Sequence, residues 1–200
     1  WEENMGYYTM YFSNNLSSGS RIYAFEPSIS ILDVLKRNVN VNHLNNVEIV
    51  EAACAQGTGM VEFYIGQNHH KSSMLESWSD NATKGTLTKV RSVSIDDFFG
   101  NDHLGEYPDL IKIDIEGAAV FALRGSEKCL RIKRPLVLIE SHTPAEDEAI
   151  GNVLTQHRYE AFRIDDQKWI LYNDRNYLDP DGVWGTILLI TAEKKHMFKN

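Results

Sequence analysis

Residues 108–125 read PDLIKIDIEGAAVFALRG, and they set the architecture. Leu110, Ile111 and Ile113 form an apolar run too short for a helix, opened by a proline and closed by Asp114, which predicts a buried strand. EGAAVFALRG then predicts a helix ended by Gly125. A strand that hands over to a helix through an acidic residue is the repeating unit of an α/β sheet.

The same unit recurs on both sides. Upstream, RIYAFEP (21–27) predicts a strand from Arg21 to Phe25 that ends on Glu26 and Pro27. Ser28 or Ser30 then caps a helix carrying Ile31, Leu32, Leu35 and Val39 at helical spacing. VEIVEAA (47–53), the alternating MVEFYI (60–65) and KVRSVSI (89–95) predict further strands, and DDFF a short helical turn. Downstream, RPLVLIES (134–141) is another strand, and Thr143, Pro144 and Glu146 form a capping box for a helix reaching Tyr159. YEAFRI, KWILY and GTILLIT follow with no helix between them and are expected to pair antiparallel. The fold class is therefore α/β: a doubly wound, mostly parallel sheet with an antiparallel C-terminal edge, in a single domain over residues 1–200. Such sheets bind ligands outside the carboxyl ends of their strands.

Composition narrows the partners. The 200 residues are 42% hydrophobic, enough for one sizeable core, and carry a formal net charge of −8. That charge disfavours nucleic acid, whose phosphates require clustered Lys and Arg. Apolar stretches are short and broken by charges, so no membrane span is read and a soluble, cytoplasmic protein is expected. Cys54 and Cys129 form no disulfide framework, which suits a reducing compartment. The basic EKKHMFKN (193–200) is read as a solvated tail.

Candidate site residues fall at the strand ends. Gly6 and Glu26 stand about twenty residues apart, the interval between a glycine turn and a ribose-binding carboxylate in doubly wound folds; Glu26 is equally readable as a solvated acid before proline. Ala52, Ala53 and Cys54 leave room for a flat ring, or simply let a helix approach the sheet. The polar stretch 66–87 reads as a lid in which Ser72 and Ser73 are small donors. His69 and His70 are adjacent and lack a third ligand, so no metal site is read. Asp114 and Glu116 project into the same crevice as Glu26, and one of them also suits the amides that open the helix. Glu140 and His142 end the next strand, where His142 is either a general base or a cap.

Taken in order, NMGYYT, IYAFEP, VEAACA, KSSM, SIDDF, IKIDIEGAAVFALRG and IESH resemble the FkbM-type methyltransferases from Asn4 to about Tyr159. The resemblance implies a Rossmann-like, class I methyltransferase that uses S-adenosylmethionine and O-methylates a sugar, polyketide or related small molecule. It implies cofactor contacts at Asn4, Gly6, Glu26, Ala53, Cys54, Ser73, Asp114 and Glu116, and His142 with Asp114 as catalytic residues. No metal is implied, and a homo-oligomer is allowed.

Two departures accompany it. Family loops read D-x-G-A-N-x-G, whereas Trp1, Glu2 and Glu3 precede Asn4 here, so the chain is expected to lack its first strand and part of the cofactor loop. Another segment, a partner or a shift of the sheet is then expected to fill the gap, because buried backbone groups must be paired. Ala119 stands where relatives often carry glutamate. Two rival readings follow: a remnant that keeps the fold without the cofactor, and a nicotinamide-dependent oxidoreductase, which would share the glycine-to-acid spacing.

Overall fold

The computed structural model describes residues 6–17, 19–66, 72–75, 86–102, 105–165, 168–171 and 185–198. They fall into two compact units, Trp1–Cys54 with Thr58–Val93, and Ala55–Gly57 with Ser94–Asn200.

The first unit runs α1 (Tyr7–Asn15), β1 (Ile22–Phe25), α2 (Ile29–Val41), β2 (Val47–Val50), β3 (Ala53–Cys54), β4 (Gly59–Ile65) and β5 (Thr86–Val93). Gly6 opens α1 at φ +82°, and a Cβ there would lie 2.5 Å from the Leu35 side chain, so the position requires glycine. Ile31, Leu32 and Leu35 form the buried face of α2; Ser28 holds its N-cap position, but its hydroxyl makes no capping bond and lies 3.0 Å from that of Ser30. β1 and β2 pair in parallel, from Ile22 opposite Val47 to Phe25 opposite Val50. Among the described residues β2 is the strand paired with β1, and the segment expected to fill a gap beside β1 is not among them.

VEIVEAA is not one strand. The chain bends at Ala52, whose N–H donates to the Val50 carbonyl at 2.8 Å, and Ala53–Cys54 pairs with β5 in a separate sheet of order β3-β5-β4. β5 is parallel to β3 and antiparallel to β4.

The second unit opens with the short α3 (Ile95–Asp97), whose Ser94 cap accepts the Asp97 N–H at 3.0 Å, followed by a π-helical turn. β6 (Leu110–Ile113), α4 (Ala119–Arg124), α5 (Glu127–Ile132), β7 (Leu136–Ser141), α6 (Pro144–His157), β8 (Tyr159–Asp165), β9 (Lys168–Leu171) and β10 (Gly185–Thr191) follow. The sheet order is β6-β7-β10-β8-β9: β6 and β7 are parallel, and β10 lies between β7 and β8, antiparallel to both. The last strands thus pair antiparallel as expected, with β9 at the edge. Val137, Ile139, Ile150, Ile187 and Leu189 are completely buried and form this unit's core.

Three local expectations are corrected. The helix after β6 begins at Ala119, because Glu116 and Gly117 occupy left-handed backbone at φ +36° and +79° and make a turn first. Gly125 ends α4 at φ −78°, so its lack of a side chain serves a close approach instead of a left-handed cap. The basic segment is no solvated tail: residues 192–198 form a 3₁₀ helix in which Glu193 pairs with Arg134 at 2.6 Å, Lys194 donates to the Arg134 carbonyl at 2.6 Å and Lys195 pairs with Glu160. No helix of the described residues is long and apolar enough to cross a membrane.

Candidate active site

The parallel register of β6 and β7 sets the site. Ile113 lies opposite Ile139, so Asp114 and Glu140 leave the two strands side by side. Side chains alternate along a strand, which puts Lys112 on the same face as Asp114, and Glu140 on the face shared by its direct partner Thr186 of β10. The buried Ile113, Val137 and Ile139 point the other way, into the core.

These side chains form a connected polar network. The Lys112 ammonium lies 3.2 Å from Asp114 Oδ2 and 3.4 Å from Glu140 Oε1. Thr186 Oγ1 donates to the same Glu140 oxygen at 3.3 Å. His142 Nε2 lies 3.3 Å from Asp114 Oδ1. Asp114 therefore divides its oxygens between a lysine and a histidine while its side chain is only 3% exposed.

Burial works against the charge on Asp114, but the bonds from His142 and Lys112 outweigh it and hold the carboxyl below its ordinary value. Burial likewise opposes the imidazolium of His142, yet the Asp114 bond and the nearby Glu116 and Glu146 raise its pKa. The pair is thus built to stabilise a proton on the imidazole. Glu116 holds left-handed backbone that a residue with a side chain rarely adopts, a strain of the kind that collects at functional sites.

Asp114, Glu140 and His142 also place one donor atom each within 4.8 Å of one another, a set suited to a divalent ion. The cation already bonded to both carboxylates is the Lys112 ammonium, and a divalent ion would enter against that fixed charge.

Thr143 caps α6 as expected, accepting the Glu146 N–H at 3.1 Å. Glu146 departs from the capping box: its Oε2 accepts the His142 N–H at 2.8 Å and its Oε1 the Ala119 N–H at 2.9 Å. Lys112 and Thr186 escaped the sequence reading, and Glu146 entered it only as a cap. Lys112 was signalled by its position two residues before Asp114, whereas the β10 register that brings Thr186 in has no local signature.

The structure brings Asp114, Glu116 and His142 together in the second unit; Gly6, Glu26, Ala53, Cys54 and Ser73 belong to the first. Asn4, His69, His70 and most of the expected lid lie outside the described residues. Glu26 follows β1, extends its ladder by donating its N–H to Val50 at 3.0 Å, and accepts the Ser28 N–H on Oε1 at 2.7 Å. Ala53 is buried, and burial pushes the Cys54 thiol up to about 12. Ser73 is buried and pairs its backbone with Tyr64 of β4 at 2.8 and 3.0 Å, while its hydroxyl accepts the Leu75 N–H.

Burial lifts Glu26 from 4.5 to about 7, against the Ser28 bond that favours its charge. The folded protein then holds this proton more tightly than the unfolded chain, so Glu26 makes stability fall as pH rises from 4.5 to about 7. Glu26→Gln removes that loss and stabilises the protein at pH 8 by up to about 3 kcal/mol, with little effect below pH 4.5. Thermal melts of both proteins across this range check it.

A family model described as the methyltransferase FkbM domain matches residues 3–166. Among solved structures, the chain is similar to the methyltransferase FkbM from Methylobacillus flagellatus KT, with TM-score 0.57 and 18% identity over 94% of this chain and 41% of that one. It also resembles a precorrin-6y C5,15-methyltransferase from Geobacter metallireducens GS-15, with TM-score 0.48 and 13% identity over 96% of this chain and 77% of that one. The chain thus spans about two fifths of the FkbM structure, and no curated protein matches it. The first likeness supports an α/β fold shared with that FkbM methyltransferase. With the family model covering most of its length, the chain belongs to the FkbM methyltransferase family.

Proposed function

We propose that the protein transfers a methyl group from S-adenosylmethionine to a hydroxyl of a small molecule, such as a sugar, a polyketide or a related metabolite. The observation that carries this reading is the Asp114–His142 pair at the carboxyl ends of two adjacent parallel strands, in a chain of this family.

The residues present fit the cofactor at Glu26. A half-buried carboxylate that accepts a single hydrogen bond among the described residues has acceptor capacity left for the two hydroxyls of a ribose. Bound S-adenosylmethionine supplies an electrophilic methyl group. Gly6, Ala53, Cys54 and Ser73 of the first unit, with Asn4, are the remaining candidates to hold the nucleoside.

His142 manages the proton. With Nε2–H donated to Asp114, Nδ1 of the neutral ring takes the proton of the acceptor hydroxyl, and Asp114 stabilises the imidazolium that results. Lys112 keeps Asp114 ionised, and Glu140, steadied by Lys112 and Thr186, receives a hydroxyl of the acceptor. Correct placement of the accepting oxygen supplies the rest of the acceleration.

Incubation of the full protein with methyl-labelled S-adenosylmethionine and a panel of hydroxylated acceptors tests this. Label in an ether product together with S-adenosylhomocysteine is expected. Cofactor binding with no transfer to any acceptor would favour a non-catalytic role, and turnover of a nicotinamide cofactor would favour an oxidoreductase.

A further inference from the structure

Glu146 is completely buried, the most deeply enclosed carboxylate among the described residues. Its oxygens serve two different backbone segments. Oε1 accepts the N–H of Ala119, the first residue of α4, and Oε2 accepts the N–H of His142, the residue just past β7. An acid at the third position of a helix satisfies a capping box by reaching back to the amide of its own N-cap. Glu146 instead reaches one residue further back, and also across to a segment 27 positions away. A single side chain of α6 thereby fastens both crossings, β6 to α4 and β7 to α6, whose ends present Asp114 and His142.

Burial raises the Glu146 pKa above its ordinary value, and its contacts oppose that rise. Ala119 N–H, His142 N–H and, at 3.4 Å, the Thr143 hydroxyl all donate to Glu146, so the ionised carboxylate satisfies them and a proton on either oxygen would face an N–H. The charged groups around the imidazole are then Lys112 from β6, Asp114 just past it, Glu116 from the following turn, Glu140 from β7 and Glu146 from α6.

We propose that Glu146 is a positioning residue for the transfer reaction: by gripping the amides of His142 and Ala119 at once, its carboxylate holds the imidazole against Asp114. This rests on His142 as the proton acceptor. The neighbouring Asp147 has a different bond, accepting from Ser141 Oγ at 2.6 Å.

The test is Glu146→Gln, which keeps the shape but presents an amide NH₂ to one of the two N–H donors. The ring titration of His142 is followed by NMR in histidine-labelled protein, assigned with His142→Gln, beside the pH profile of transfer. The His142 titration is expected to move down by about half a unit or more, the acid limb of the rate with it, and kcat to fall about tenfold with cofactor affinity within about twofold. A folded variant with both titration and pH profile unchanged overturns the proposal. Should Glu146→Gln not fold, Glu146→Asp keeps the charge on an arm one methylene shorter; a fall in kcat or a moved histidine titration supports the clamp, and no change in either overturns it. The NMR readout needs no activity, so a moved titration in a protein that transfers no methyl group would support the clamp while defeating the proposed function.

Discussion

Gly125→Ala lowers the melting temperature by about 10 °C. A Cβ at this position would lie 2.1 Å from the Ala55 carbonyl oxygen and 3.0 Å from the Ser94 side chain. The first of these neighbours is backbone, and the loop that bears it must shift. The segment cannot yield freely, because the Asp96 N–H donates to the Gly125 carbonyl at 2.9 Å, and the Asp96 carboxylate accepts the Lys128 and Cys129 amides at 2.7 and 2.9 Å. Overpacking of this kind costs about 3 kcal/mol, and each kcal/mol moves the melting point of a chain this size by about 2–4 °C. The sign is informative. At φ −78° an alanine is conformationally acceptable, and without the contact it would stabilise the protein by about 0.4–1 kcal/mol through the unfolded state. Gly57→Ala, where an added Cβ meets nothing within 4 Å, is the control and leaves the melting point unchanged or raises it by about 1–4 °C.

His142→Ala reduces methyl transfer by about 10²–10⁴-fold, the usual contribution of a positioned general base. Cofactor affinity stays within about threefold, since the loss lies in the transition state. The wild-type rate falls on the acid side with a midpoint above 6.5, the ordinary histidine value, because Asp114, Glu116 and Glu146 hold the proton on His142. Above that midpoint the neutral ring predominates and the rate levels off. In His142→Ala this acid limb disappears. A variant that keeps both the rate and the limb would remove His142 from the chemistry and leave Asp114 as the remaining candidate.

The strand IKID and the acids that close it were legible because the signal is local: an apolar run of strand length, a proline before it and carboxylates after it. Lys112 on the face of Asp114 follows from the same two-residue period. The left-handed turn at Glu116 was hidden, since a glutamate in a helix-forming stretch gives no sign of positive φ and only the following Gly117 hints at it. VEIVEAA was read as one strand because its apolar run is nearly continuous; the change of partner after Val50 depends on β5, about forty residues later. The insertion of β10 between β7 and β8 is likewise a non-local choice that no period within GTILLIT records. Glu146 was recognised as a cap from its spacing to Thr143, but its grip on Ala119 depends on how α4 and α6 pack. The basic C-terminal run misled because its lysines resemble a solvated face until Arg134 and Glu160 are seen beside them.

Binding of the cofactor is where the proposal stands or falls. Calorimetric titration of the protein with S-adenosylmethionine and S-adenosylhomocysteine, repeated with Glu26→Ala, is expected to show saturable heat for both ligands and a loss of about tenfold or more in affinity for the variant, as when a half-buried carboxyl acceptor of ligand hydroxyls is removed. No heat from either ligand at millimolar concentration, or equal affinity in Glu26→Ala, would contradict it.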